Sequence, residues 1–349
     1  AVQLCRSTRR LNRASVCGWL SQALSFGSPM SAVQHPRRLL ALLSRHATRV
    51  LFAGVFIGLA IPPLAAAARP YLLVGVIVLL TAMLLRVDWG AMGAYLRRPV
   101  LATAILVWLL AGAPVVVWLT LLPAGLPESL TVALVLMASA PPILSAAAIA
   151  VLLGLDGALA IVVSLIATLL TPLTVPPMAL VLLGLDLEIS VGAFMLRLAG
   201  IVGPAFLLAL FVRKLAGPAR LDRYKAEIEG FTVLVMLYFG IAIMDGVTAR
   251  LLAEPAIVAG WTLAAFVANP ALQLLGGLAF AWLGRRGALT VGLMSGNCNM
   301  GLLLAALPPG TDFDVLLYFA VAQLPIFMLP ALMLPLYRRL LAQPAVRQP

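Results

Sequence analysis

The chain has 349 residues, 63% of them hydrophobic and only 10% charged, with a mean hydropathy of +1.09. A soluble domain of this size carries far more charge, and a β-barrel would show short alternating segments, so both are excluded in favour of an all-α polytopic membrane protein. The formal net charge of +12 sits between apolar runs and at the termini, so membrane topology explains it and no nucleic-acid partner is expected.

Residues 1–48 are basic and contain no acid. Met30 opens a stretch that reads as a natural start. Residues 1–29 are therefore expected to be an upstream extension, with a transit peptide as the alternative, and are set aside from fold reasoning. Ten apolar spans follow by length, at 49–67, 71–85, 100–122, 130–153, 158–183, 191–211, 231–251, 256–283, 288–307 and 315–337. The first two are expected to be joined by a turn at Ala68-Arg69-Pro70. Basic linkers lie at 86–99 and 213–230, with tight turns at 154–157 and 284–287. With both termini inside, 21 of the 24 Lys and Arg fall on the cytoplasmic side, which leaves Arg69 and Arg250 outside and Arg197 within a span. The positive-inside rule thus predicts an integral inner- or plasma-membrane protein with both ends cytoplasmic.

The spans divide into two halves, 49–185 and 186–340, followed by a cytoplasmic tail at 341–349. Five spans per half is an odd number, so the second half enters the membrane with opposite orientation. In each half the fourth span is interrupted: by Pro141-Pro142 in the first, and by Gly296, Asn297, Asn299 and Gly301 in the second. Matched interruptions are the sequence pointer to an inverted-repeat transporter and its binding site. Polar groups at this depth must face protein or a water-filled cavity. The alternative for the second stretch is a Gly/Ser/Asn helix-packing face.

At the breaks, freed carbonyls suit cations and half-helix N-termini suit anions. The candidate binding residues are Pro141 and Ser145 at the first break and Ser295, Gly296, Asn297 and Asn299 at the second. Ser164 and Thr168, four apart on one face of the fifth span, either face the first break or bond back to their own helix. Gln273 beside Asn269-Pro270, and Gln323 before Leu324-Pro325, either satisfy freed backbone or border the cavity. Asp245 is the one acid well inside a span, yet Arg250 places it near the outer interface. Arg197 is expected to pack against an acid or to snorkel, and Cys298 to act as a small apolar filler.

Cys5, Cys17 and Cys298 form neither a disulfide framework nor a metal spacing. His35 and His46 both precede the first span, so a His-based centre within the membrane is excluded. No span carries paired acids or a Gly-x-Ser-x-Gly elbow, and an enzyme is not expected. A channel should show polar rings along a pore, whereas here polarity clusters at mid-span.

The run ASAPPILSAAAIAVLLGLD, then SLIATLLTPLTVP, and late in the chain SGNCNMGLLLAALP, resembles the bile acid:sodium symporter family over roughly 49–339. The resemblance implies ten spans in two inverted five-span repeats. It also implies a panel of spans one, two, six and seven, and a core of the other six in which the broken fourth and ninth spans cross. The ninth-span pattern falls on Gly296, Asn299, Gly301 and Leu302, the proline positions on Pro141 and Pro172, and a sodium-holding hydroxyl on Ser164. Other family ligand positions are changed: a glutamate is Met294 here, a glutamine is Cys298, a Ser-Asn pair is Ala146-Ala147 and a further hydroxyl is Ala160. A desolvated sodium ion wants about five or six oxygens, by analogy with other hard cations. Sodium coupling of the usual kind is therefore not expected; a weaker Na+ site at Ser164, Asn297 and Asn299 stays open, and no other cofactor is expected. The function expected is alternating-access transport of a small organic solute, an organic anion in class, with a proton-coupled carrier or an uncoupled facilitator or channel as alternatives. Solute and membrane lipid are the partners expected, and monomer and homodimer are both open.

Overall fold

The structure is a computed structural model and describes residues 40, 43, 47–87, 99–184, 190–308 and 310–342. Expectations placed on residues 1–39, on His46, on Arg97 and Arg98, and on most of the 184–190 link and the 341–349 tail lie outside the described residues. All the described elements are helical. In chain order they are α1 (Ala47–Ala60), α2 (Pro62–Leu85), α3 (Pro99–Ala124), α4 (Glu128–Ser139), α5 (Ala146–Leu152), α6 (Gly157–Leu183), α7 (Val191–Ala216), α8 (Pro218–Arg223), α9 (Lys225–Ala253), α10 (Pro255–Ala279), α11 (Gly284–Gly296), α12 (Met300–Ala306) and α13 (Phe313–Ala342).

Seven of these, α2, α3, α6, α7, α9, α10 and α13, are long and apolar enough to cross a membrane. The protein is an all-α polytopic membrane protein. The other three expected spans take different forms among the described residues. The first is the 14-residue α1. The fourth is split into α4 and α5, and the ninth into α11 and α12.

The turn expected at 68–70 lies elsewhere. The chain bends at Ile61, whose φ of −126° and ψ of 72° leave the helical region. Pro62 follows, and a residue before proline is pushed out of the α conformation. Pro70 is accommodated because it stands in the first turn of the next helical segment, where its missing N–H is not needed. The turn at 154–157 is present: Gly154 has a φ of +77°, and Asp156 caps α6 by accepting from the Leu159 N–H at 3.0 Å.

The helices pack as two groups. In the first, α9 lies against α1 and α2, and α2 against α7. In the second, α3 packs on α4, α4 on α13, α5 on α6 and α10 on α11. The groups meet where α6 lies along α7 and where α12 touches α2 and α7. Small residues set the closest approaches. A Cβ on Gly54 or Gly58 of α1 would lie 2.6 or 2.7 Å from the Leu237 or Ile241 carbonyl oxygen of α9. Gly292 and Gly296 of α11 sit in the same way on the Gln273 and Asn269 carbonyls of α10. Without a hydrophobic force between helices in lipid, such backbone approach supplies the packing energy.

Charged groups mark the two ends. At one, Arg86 pairs with Glu229 at 2.9 Å where α2 ends and α9 begins, and Arg213 donates to the Leu85 and Val87 carbonyls. At the other, Arg250 pairs with Glu254 and Asp314 at 2.9 and 3.0 Å. Among the described residues Arg197 pairs with no acid; its guanidinium donates to the Leu307 carbonyl at 3.3 Å, just past the C-terminal end of α12. That placement suits the negative end of the helix dipole.

Two substitutions in α10 separate packing from propensity. A Cβ at Gly276 would collide with the Ser295 side chain and approach the Gly292 backbone, whereas one at Gly260 meets nothing within 4 Å. Gly260→Ala is expected to raise thermal stability by up to about 1 kcal/mol. Gly276→Ala is expected to lower it by about 1–3 kcal/mol, as read from melting in detergent.

Candidate functional site

The first interruption follows from proline chemistry. Pro141 and Pro142 offer no N–H, and Ala140 before them is extended at φ −70° and ψ 144°. The Ala138 carbonyl thereby loses its helical partner. The second interruption follows from short amides that bond locally in place of helix continuation. The Asn297 side-chain amide donates to the Leu293 carbonyl at 2.8 Å. The Asn299 side-chain oxygen accepts from the Leu302 N–H at 3.2 Å and so caps α12.

The two interruptions face each other and pair. The Asn299 N–H donates to the Pro141 carbonyl at 2.7 Å, and the Ile143 N–H donates to the Asn297 carbonyl at 2.9 Å. This is a short antiparallel bridge with Pro142 opposite Cys298. Both stand at the non-hydrogen-bonded position of the ladder, so Pro142 has no amide to miss. An unpaired buried amide costs about 1–3 kcal/mol. Each interruption therefore satisfies a donor that the other would leave bare in a medium without water.

A cavity of about 50 Å³ lies beside this bridge, enough for about three or four waters. The first break contributes Ile143, Leu144 and Ser145, and the second Cys298, Asn299, Met300 and Gly301. The opposite wall is Val76, Leu79, Leu80 and Met83 of α2 with Met236 and Phe239 of α9; Gln323 and Phe327 of α13 complete it. The cavity thus lies between the two helix groups. Gly301 admits the Phe239 ring, since a Cβ there would stand 2.6 Å from it.

Of the residues singled out from the sequence, Ser145, Asn299 and Gln323 come together on the cavity. Gln323 donates to the Phe319 carbonyl at 3.3 Å. Pro141 and Asn297 form the bridge. Thr168 bonds back to the Ser164 carbonyl at 2.7 Å, as one of its two readings held. Among the described residues the hydroxyl of fully buried Ser164 has no hydrogen-bond partner, and neither has the side-chain oxygen of Asn297. Ser295 accepts from the Trp108 indole at 3.0 Å and donates to the Val291 carbonyl, while Gly296 packs on α10. The packing-face reading therefore describes 292–296, and the break begins only at Asn297. Asp245 is half-buried in the turn that interrupts α9.

Gln273 lies away from the cavity, in a chain of hydrogen bonds the sequence reading missed. The Tyr337 hydroxyl donates to the Gln273 side-chain oxygen at 2.6 Å, the Gln273 amide to the Asn269 side-chain oxygen at 2.7 Å, and the Asn269 amide to the Gly296 carbonyl at 2.7 Å. This ties α13 and α10 to the last residue of α11. Tyr337 precedes two arginines and reads in sequence as an ordinary span end. Trp108 was also missed; it opens a π-helical turn at Trp108–Gly112, a form frequent at functional sites.

Among the described residues, the buried side-chain oxygens without a hydrogen-bond partner are those of Ser164 and Asn297. The orphaned Ser164 and Asn297 oxygens are neutral, and two fall short of the about five or six a desolvated sodium ion takes, by the hard-cation analogy. Met294 and Ala160, which stand at ligand positions of the resembled family, are fully buried in one apolar cluster with Val163, Val291 and Leu293.

Two conservative substitutions should move stability in opposite directions. Tyr337→Phe strips the Gln273 oxygen of its donor and is expected to lower stability by about 1–3 kcal/mol. Ser164→Ala removes an unpaired buried hydroxyl and is expected to leave stability unchanged or raise it by about 1 kcal/mol; both are read as melting shifts. No protein-family model matches the chain, and no curated protein matches it.

Proposed function

We propose that this protein is a secondary carrier of a small organic solute, with an organic anion as the solute class, working by alternating access. The observation that carries this reading is the cavity between the paired interruptions and the facing helices α2 and α9. Carriers built from repeats put their sites where helices are discontinuous. Counting α1 and the two split helices with the seven long ones gives ten crossings, five per half, with the fourth of each half broken. That count supports inverted repeats, and the sequence's charge distribution supports both termini on the cytoplasmic side.

The apolar wall of Leu79, Leu80, Met236, Phe239 and Phe327 suits the hydrocarbon part of an organic solute. The Asn299 amide and the Ser145 hydroxyl are the donors offered to its polar group. Rocking of the α1–α2–α7–α9 group against the other would open the cavity to one side and then the other. The chemistry required is binding and release alone.

The neutral donor set carries the second reading, uncoupled facilitation. A sodium ion held as in the resembled family has no carboxylate at Met294 to meet it, and no step is assigned to one.

Counterflow in proteoliposomes, screened across organic anions, tests the proposal. Saturable exchange accelerated by solute on the far side is expected, equal in sodium and potassium, and reduced roughly tenfold or more in Asn299→Ala, a loss of about 1.4 kcal/mol in binding. Flux that neither saturates nor exchanges, or an unaltered Asn299→Ala variant, would contradict it.

A further inference from the structure

At the Arg250 end the two helix groups are joined by polar contacts as well as by apolar packing of Ile243, Met244 and Val247 in one cluster with Val258 and Val315. Arg250 belongs to α9 in the first group, and its guanidinium reaches both carboxylate oxygens of Asp314, at 3.0 and 3.2 Å, in the first turn of α13 in the second. The residue before Asp314, Phe313, lays its ring against Gly246 of the α9 turn; a Cβ at Gly246 would stand 2.7 Å from it. Gly246 itself has a φ of +77°, which favours glycine. Arg197 of α7 reaches across to the Leu307 carbonyl past the end of α12. At the opposite end, Arg86 and Glu229 join α2 to α9 within the first group, and Arg286 donates to the Leu155 carbonyl within the second.

We propose that Arg250–Asp314 and Arg197–Leu307 form a two-point latch that holds the groups together at the Arg250 end and must part for the cavity to open there. This rests on the alternating-access reading above and adds to it the contacts that gate one side. The chemistry suits a reversible device. The Arg250 and Asp314 side chains are 27% and 20% exposed, and pairs open to solvent are weak enough to break. Each partner also keeps a second interaction when they separate. Arg250 retains Glu254, four residues on, at 2.9 Å. Asp314 retains the N-terminal turn of α13, which favours a carboxylate. Arg197 meets a lone carbonyl, a single hydrogen bond on one end of a short helix.

Cys298 lines the cavity and serves as the reporter. With Cys5 and Cys17 replaced by serine, a membrane-impermeant maleimide is applied to intact cells and to inverted vesicles, and the labelling rate from each side gives an access ratio. Asp314→Asn and Arg197→Gln are each expected to shift the ratio toward the Arg250 side by about threefold to fivefold, as for loss of one partly exposed pair. Glu254→Gln makes a like charge change in the link between α9 and α10, removes neither the Asp314 nor the Leu307 contact, and is expected to leave the ratio as it is. Wild-type labelling from both sides, with a ratio that Asp314→Asn and Arg197→Gln do not alter, would overturn the latch and leave the carrier reading standing. An equal shift in Glu254→Gln would also overturn it, as a general charge effect. Labelling of Cys298 from neither side would overturn the carrier reading, and the latch with it. Correct folding of each variant is checked by unchanged elution as a single species.

Discussion

Backbone hydrogen bonding in a medium without water is the constraint on which the rest of this structure depends. A helix that stops within hydrocarbon leaves amides and carbonyls that no solvent will take. Here two helices stop, and each completes the other. Pro141 accepts from Asn299, and Asn297 accepts from Ile143. The bridge fixes α4, α5, α11 and α12 against one another. Pro142 and Cys298 stand opposite at the non-hydrogen-bonded position, and Cys298 lines the cavity beside the bridge.

Around that bridge, polar satisfaction is uneven, and the unevenness has a pattern. The Tyr337–Gln273–Asn269 chain is paired at every link and ends on Gly296, so the last turn of α11 is held from behind. Trp108 holds Ser295 one residue earlier. By contrast, the Ser164 hydroxyl and the Asn297 side-chain oxygen, both buried, have no partner among the described residues. The last turn of α11 is thus held from behind, while Asn297 at the break keeps an unspent acceptor.

Much of this was legible in the sequence, and the reasons for success and failure are physical. The interruptions stood out because Pro-Pro removes donors outright and because amides and glycines are rare at hydrocarbon depth. That they meet was expected from the matched breaks and from the family resemblance; the register of the bridge is a tertiary fact that no local pattern encodes. The bend between α1 and α2 was misplaced because two prolines, Pro62 and Pro70, compete for it, and only packing of α1 on α9 shows which ends the helix. Ser164 and Thr168 looked equivalent by spacing, yet Thr168 bonds to its own helix and Ser164 does not. Among the described residues length alone finds seven crossing helices, because the breaks leave α4, α5, α11 and α12 too short and α1 has only 14 residues. Tyr337 and Trp108 escaped notice because an aromatic in or at the end of an apolar run is the ordinary case, and their polar atoms acquire meaning only from Gln273 and Ser295.

The most direct measurement of the bridge is a disulfide between its facing residues. In an antiparallel pair the non-hydrogen-bonded positions bring the Cα atoms to about 4.5 Å, within the range a disulfide spans. Pro142→Cys, in a chain whose Cys5 and Cys17 are replaced by serine, should cross-link to the native Cys298 on mild oxidation, seen as the loss of two thiols within one monomer. Failure to cross-link while both thiols remain reactive to a small maleimide would mean that the two interruptions do not face each other, and the site built on their pairing would fall.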